Sequence, residues 1–325
     1  MMAVSAGRQR GVALITAILI TALVTVAAVA MASRQQLDIR RTGNQLEADQ
    51  AYVYALAVEA FASRALEEDK KNSTIDALNE LWATTDILAP VDGGQVGGTL
   101  EDLQGRFNLN NLVDTTGKAD PKQVKGLQTL LAQVDAENDE ITLSPFLVNA
   151  VTDWIDTDLN ILADGAEDQE YLNLEPPYRA ANRFMASPGE LRAVAGFDDT
   201  IVAALTGMRA DGGKPLLATL PEPTKVNVNT ASEEVLMSLD DKITQQIAQE
   251  VVELVATKPF ESAKDFVDYL KGYKISVDPN RVDVQSDYFL LSSDAIIGRS
   301  KIKLYSVLAR KGNTVTTIQR SIGVY

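Results

Sequence analysis

No histidine and no cysteine occur in the 325 residues. Without imidazole the chain has no usual general base, no Ser-His-Asp arrangement and almost no route to a zinc site. Without thiols it has no disulfides, no thiolate metal sites and no cysteine nucleophile. These absences argue against an enzyme. Positive charge is also scarce, with 30 Lys and Arg against 45 Asp and Glu and a formal net charge of −15. Such a surface repels nucleic acid and anionic lipid, so a partner of either kind needs a local basic patch. What the chain does have is 46% hydrophobic residues, enough for the cores of two domains or of one domain with a large insertion.

The longest uncharged run is Val12 to Ser33, preceded by Arg8, Arg10 and Gly11. As a helix it is about 33 Å long and matches a bilayer core of roughly 30 Å. Arg8 and Arg10 lead it, so the short leading flank is expected to stay cytoplasmic and the rest to cross. Three fates are open to such a segment. Ala28, Ala30 and Ala32 offer the small-residue spacing of a cleavable export signal, although the apolar run exceeds the usual 7 to 15 residues of such signals. An uncleaved anchor is the second, and the third is a cut at Gly11, which removes the basic leader and keeps the membrane helix.

Beyond the span, Leu37, Leu46, Tyr52, Val53, Leu56, Phe61 and Leu66 keep helical spacing with few breakers. One rod from Val12 to about Lys70 is expected, close to 90 Å long. A Gly-rich turn, "VDGGQVGG", precedes a strand expected in the first half of Thr99 to Val113. Tyr288 to Gly298, Ser300 to Arg310 and Thr314 to Val324 read as a β-meander turning at Lys311 to Asn313. Residues 114–283 between them are rich in helical patterns.

Asp135 to Glu170 holds eleven carboxylates and no lysine or arginine. Counted from Asp156, oxygen-bearing side chains fall at loop positions 1, 3, 5, 9 and 12, namely Asp156, Asp158, Asn160, Asp164 and Glu167. That is EF-hand spacing, but Ile161 stands where an EF-hand has glycine for its sharp turn. Converging carboxylates repel unless a cation joins them, and hard oxygen donors favour calcium over transition metals. An acidic solvated loop is the plainer alternative. Asp156 and Glu167 as a glycosidase pair is a third, for which Trp154, Tyr171 and Tyr178 are the few nearby aromatics.

"KVNVNTASEEVLMSLDDKI" starts a helix capped by Thr230 or Ser232, and "MASPGELRAVAGFDDTI" repeats the idea around Ser187. With "KPFESAKDFVDYL", the first resembles the helix-hairpin-helix modules of competence-type DNA receptors, which implies a membrane-tethered DNA binder as a rival function. The hairpins, however, read Leu239-Asp240-Asp241-Lys242 and Gly196-Phe197-Asp198-Asp199. Aspartates where a phosphate would sit make repulsion the expected outcome, so these units read as packing modules with no nucleic-acid role.

A basic leader ending in glycine, an apolar helix running into an amphipathic one, and a sheet after it together resemble the prepilins of type IV pili and type II secretion pseudopili. The segments "DWIDTDLNILADGAEDQEY", "DLQGRFNLNNLV" and "PPYRAANRFMASPGELRAV" narrow the resemblance to the K-type minor pseudopilins of type II secretion, over almost the whole chain. The resemblance implies an α+β fold, in which a pilin-like long N-terminal helix packs on an antiparallel sheet with a large inserted helical domain. Its divisions are a leader at 1–11, a transmembrane helix at 12–33, the helix and first strand of the core at 34–113, an inserted domain at 114–283 and a C-terminal meander at 284–325. It implies cutting by prepilin peptidase after Gly11, with Val12 as the methylated first residue. The glutamate usual at mature position five is Thr16 here, and its absence belongs to the K type, a subunit with no neighbour above it. The implied protein is anchored by a single pass in the bacterial inner membrane, with its head in the periplasm. Its partners are the I- and J-type minor pseudopilins and the other pseudopilins. The implied ion is Ca2+, held by Asp156, Asp158, Asp164, Glu167 and Asp168, with Asp153 behind them or at a second ion.

Overall fold

The computed structural model describes residues 10–84, 87–137, 146–207 and 214–323. Its first element, α1, runs from Arg10 to Asn72 as one 63-residue helix, about 94 Å long at 1.5 Å per residue. Arg8 and the rest of the expected leader up to residue 9 lie outside the described residues. No proline or paired glycine interrupts α1; Gly43, inside it, has open space around it. From Val12 to Arg40 every residue is exposed, whereas Ala51, Ala55, Val58, Ala62 and Leu66 are buried. The spacing of these five, four or three residues apart, gives one stripe along the helix.

That stripe lies on a five-stranded antiparallel sheet: β1 (Ile87–Val91), β2 (Gly94–Asp102), β3 (Tyr288–Ile297), β4 (Ser300–Lys311) and β5 (Thr314–Ile322). The strands lie side by side in the order in which the chain makes them. Val96, Leu100, Phe289, Leu291, Leu304 and Leu308 meet the α1 stripe in one core. Alanines on the helix and Gly98 on the sheet let the two backbones approach; a Cβ at Gly98 would come within 2.7 Å of Val58. Glutamates of α1 reach across to the sheet. Glu59 accepts from Arg320, Ser306 and Thr317, Glu67 accepts from the Val315 amide, and Glu47 accepts from the Arg299 amide in the β3–β4 turn.

The pilin-like α+β architecture is therefore present. Two local expectations need correction. The first core strand begins at Gly94, not Thr99, because only Asp92 and Gly93 of "VDGGQVGG" form the turn and the residues from Gly94 onward pair with β1 and β3. A preceding strand, β1, went unread, since its sequence "ILAPV" is short and contains proline.

Between β2 and β3 the chain builds a second body with its own core, around Leu109, Leu130, Val148, Val151, Leu191, Val202, Val251 and Phe266. It contains α2 (Pro121–Glu137) and α3 (Phe146–Ile155) among shorter helices. Asparagines join its loops by acting as substitute backbone. Asn110 donates to the carbonyls of Met185 and Leu220 and accepts from the Met185 amide. Asn229 bonds both the amide and the carbonyl of Phe260. A buried bond of this kind contributes about 1 kcal/mol net, and leaving such a group unpaired costs more.

Candidate metal centre

The helix α3 reads "FLVNAVTDWI" and is buried from Ala150 to Ile155, so the carboxylates at its end are carried inward with it. Asp153 is fully buried and accepts the Leu162 amide at 3.2 Å. Asp156 follows directly after the helix and is 4% exposed. The loop then turns outward through Asp158, whose Oδ1 accepts both nitrogens of Asn160. It reverses at Asp164, which has φ of +59°, and returns along Gly165 to Glu167, which is 6% exposed. Gly165 is required by contact, because a Cβ there would lie 1.9 Å from Asp153 Oδ2. Thr157 anchors the near side by donating its amide to Gly117 O at 3.3 Å.

Asp156, Asp158 and Glu167 each present one carboxylate oxygen within 4.8 Å of the other two. Two ligands opposite each other on a calcium ion, each about 2.4 Å from it, stand at that separation. In loop numbering these are positions 1, 3 and 12. The left-handed residue is at position 9, Asp164, so the loop makes its sharp turn without the EF-hand's central glycine. Ile161 is free to extend into solvent, at 62% exposure.

The electrostatics disfavour the charged carboxylates, which either a proton or a cation would relieve. Burial, then the charges of Asp158, Asp153 and Glu167, push Asp156 up to about 7. Burial, then Asp153, raises Glu167 to about 7, and burial raises Asp153 to about 6. Asp156 Oδ1 and both oxygens of Glu167 are buried without a hydrogen-bond partner. An unsatisfied buried carboxylate costs several kcal/mol, and a divalent ion would supply what these oxygens lack.

Two expected ligands are placed elsewhere. Asp168 accepts the Ala180 amide at 3.0 Å and faces Arg179 at 3.4 Å, so it fastens the following segment. Asp164 is exposed and stands outside the group of three. Beneath the loop, Trp154, Tyr171 and Tyr178 pack on one another with ring centroids 5.1 to 6.3 Å apart. Trp154 and Tyr171 are buried, so neither offers a face to a sugar.

A second carboxylate group, Asp69, Asp76 and Glu80, went unread in the sequence because its neutralising residue, Arg310, is far away along the chain. Arg310 is 1% exposed. It donates to Asp76, to the Ser286 carbonyl and to Asp69.

The helix-hairpin-helix echoes are packing units. Ser232 caps its helix by accepting the Val235 amide, while the Thr230 hydroxyl turns inward to Asp102. At the hairpin, Asp241 pairs with Lys125 at 2.6 Å and the Leu239 carbonyl accepts from Arg281. In the sister copy, Gly196 has φ of +86° and seats against Phe146 and Leu147.

Models of the family described as type II secretion system protein K match residues 105–208 and 226–285. The protein named type II secretion system protein K from Aeromonas hydrophila is 34% identical over 98% of both chains. That of Pseudomonas aeruginosa PAO1 is 34% identical over 97% of this chain and 93% of its own. A chain in the crystal structure of the GspK-GspI-GspJ complex from the enterotoxigenic Escherichia coli type 2 secretion system superposes with a TM-score of 0.73. It is 26% identical and covers 88% of this chain and all of its own. The DNA-binding rival gains nothing from these likenesses. With a pilin-like helix and sheet, an inserted domain and full-length relatives of one kind, the chain belongs to the type II secretion system protein K family and is a minor pseudopilin of that secretion system.

Proposed function

We propose that this minor pseudopilin caps the tip of the pseudopilus, in a heterotrimer with I- and J-type minor pseudopilins, and acts in assembly rather than catalysis. The observation that carries this is the likeness to the K-containing complex over 88% of the chain. The width of the head adds to it. Between β2 and β3 the described residues build a core of their own beside the sheet, bulk that a further subunit stacked above would have to clear. Thr16 adds a second reason: it has no carboxylate to present to a neighbour's terminal amine, and its hydroxyl bonds back to Val12 O and Ala13 O. Gold label directed at the head should mark isolated pseudopili once, at one end; label spaced along the shaft would refute the cap.

Anchorage is by residues 12–33 in the inner membrane, with the head in the periplasm. The 18-residue apolar window of α1 has a mean hydropathy of 2.7 and is wholly unburied. Prepilin peptidase cuts after Gly11. Mass spectrometry of the membrane-extracted chain should find a methylated Val12 at the terminus, and a terminus at Met1 or after Ala32 would reject that processing.

Asp156, Asp158 and Glu167 would hold Ca2+, with Asp153 fixing the loop behind them. The ion would neutralise the buried oxygens and join the end of α3 to the far side of its loop. The unpartnered atoms at Asp156 and Glu167 support this assignment.

A further inference from the structure

Arg34, Arg40 and Arg41 are the first basic residues beyond the apolar run, and all three stand exposed on bare helix. Arg41 faces Asp38 at 3.9 Å, with the two side chains 80% and 72% exposed, a contact worth little in water. Among the described residues, none lies within ion-pair distance of Arg34 or Arg40. In a chain of net charge −15, this is a local surplus of cations with almost nothing of its own to neutralise.

Its position says what does. With residues 12–33 filling the hydrocarbon, Arg34 stands at the boundary, and Arg40 and Arg41 lie about 9 to 11 Å further along the helix. The headgroup layer is roughly 5 to 8 Å deep on each side. Helical side chains lean toward the N-terminus, here toward the bilayer, and arginine extends its charge well beyond its apolar stem. At about 100° per residue, Arg34 and Arg41 share a stripe and Arg40 stands about 100° from Arg41. Together they span about a third of the circumference at headgroup depth. Guanidinium groups pair with phosphodiester oxygens in a two-point fork.

We propose that Arg34, Arg40 and Arg41 form a collar that selects anionic phospholipid in the leaflet facing the head. This rests on the membrane-spanning reading of residues 12–33. The test uses the full chain in detergent, offered equimolar phosphatidylglycerol and phosphatidylcholine, with retained lipid counted by native mass spectrometry. Phosphatidylglycerol should be favoured by about five-fold per arginine. Arg34→Gln, Arg40→Gln and Arg41→Gln together should bring the preference near unity, and lysines at the three positions should restore most of it. Asp38→Asn should strengthen it. Equal retention of both lipids by the native chain, or an unaltered preference in the glutamine variant, overturns the collar. Loss of the preference on adding 10 mM inorganic phosphate would make free phosphate the ligand and also overturns it. Failure of the anchor reads differently: the chain would leave vesicles on alkaline carbonate extraction, which refutes both. The substitutions lie on bare helix, so the melting of the head serves as the folding control.

Discussion

Changing Asp156→Asn and Glu167→Gln together should lower the melting temperature of the head by roughly 10 °C in millimolar calcium and leave it unchanged or higher in chelator. An ion present at about a thousand times its dissociation constant stabilises the folded state by about 4 kcal/mol. In a domain of 150 to 250 residues each kcal/mol moves the midpoint by about 2 to 4 °C. The apo protein gains from the substitutions, because they remove charges that burial and like neighbours disfavour. Differential scanning calorimetry with and without chelator separates the two cases, and equal shifts in both would discard the ion.

The same carboxyls set the pH dependence. Asp156 and Glu167 have folded values of about 7, above their unfolded ones, so the apo head is favoured at low pH and loses stability as pH rises through 7. Calcium needs both groups deprotonated. Its affinity should therefore climb between pH 6 and 8, and the stabilisation by calcium should climb with it. A flat titration across that range would mean that these two side chains are not the ligands.

The other large effect is expected at Arg310→Leu, which should destabilise the pseudopilin core by about 3 to 5 kcal/mol, the cost of leaving a buried charge without its partner. Arg310 lies with its guanidinium carbon 4.8 Å from the Phe289 ring centre and holds Asp76, which is fully buried. Burial already raises Asp69 and Asp76 to about 6. Without the guanidinium both rise further. Since raised carboxyls favour the folded state below their pKa, the defect should be milder at pH 5 than at pH 7.5. Chemical denaturation at the two pH values measures this, and a loss under 1 kcal/mol at neutral pH would show the pair to be dispensable.

Much of this was legible in the residues. The long helix showed itself by unbroken periodicity, and the three C-terminal strands by alternation between turn residues. The acidic loop was visible because its carboxylates keep a fixed spacing from Asp156. That spacing alone could not say which oxygens converge. Asp164 stands outside the converging three and carries the left-handed turn, and Asp168 contacts Arg179 and the Ala180 amide. Position in a motif carries no information about such competing partners. The buried set of Arg310, Asp69 and Asp76 was illegible for a related reason: Arg310 is more than 200 residues from both aspartates along the chain, and the packing of α1 on the sheet that carries Arg310 brings them together.

The register that places Asp102 opposite Phe289 also makes the inserted body leave the sheet and rejoin it at neighbouring strand ends. Tension on the head would thus peel β2 from β3 one rung at a time, the weak direction for a ladder, rather than shear all rungs at once. At the first rung stands Asp102, gripped by Thr230, Asn227, Ser286 and the Gln104 amide. This knot ties the base of the head across both strands, and mechanically it is the stop that keeps a load on the tip from unzipping the sheet beneath it.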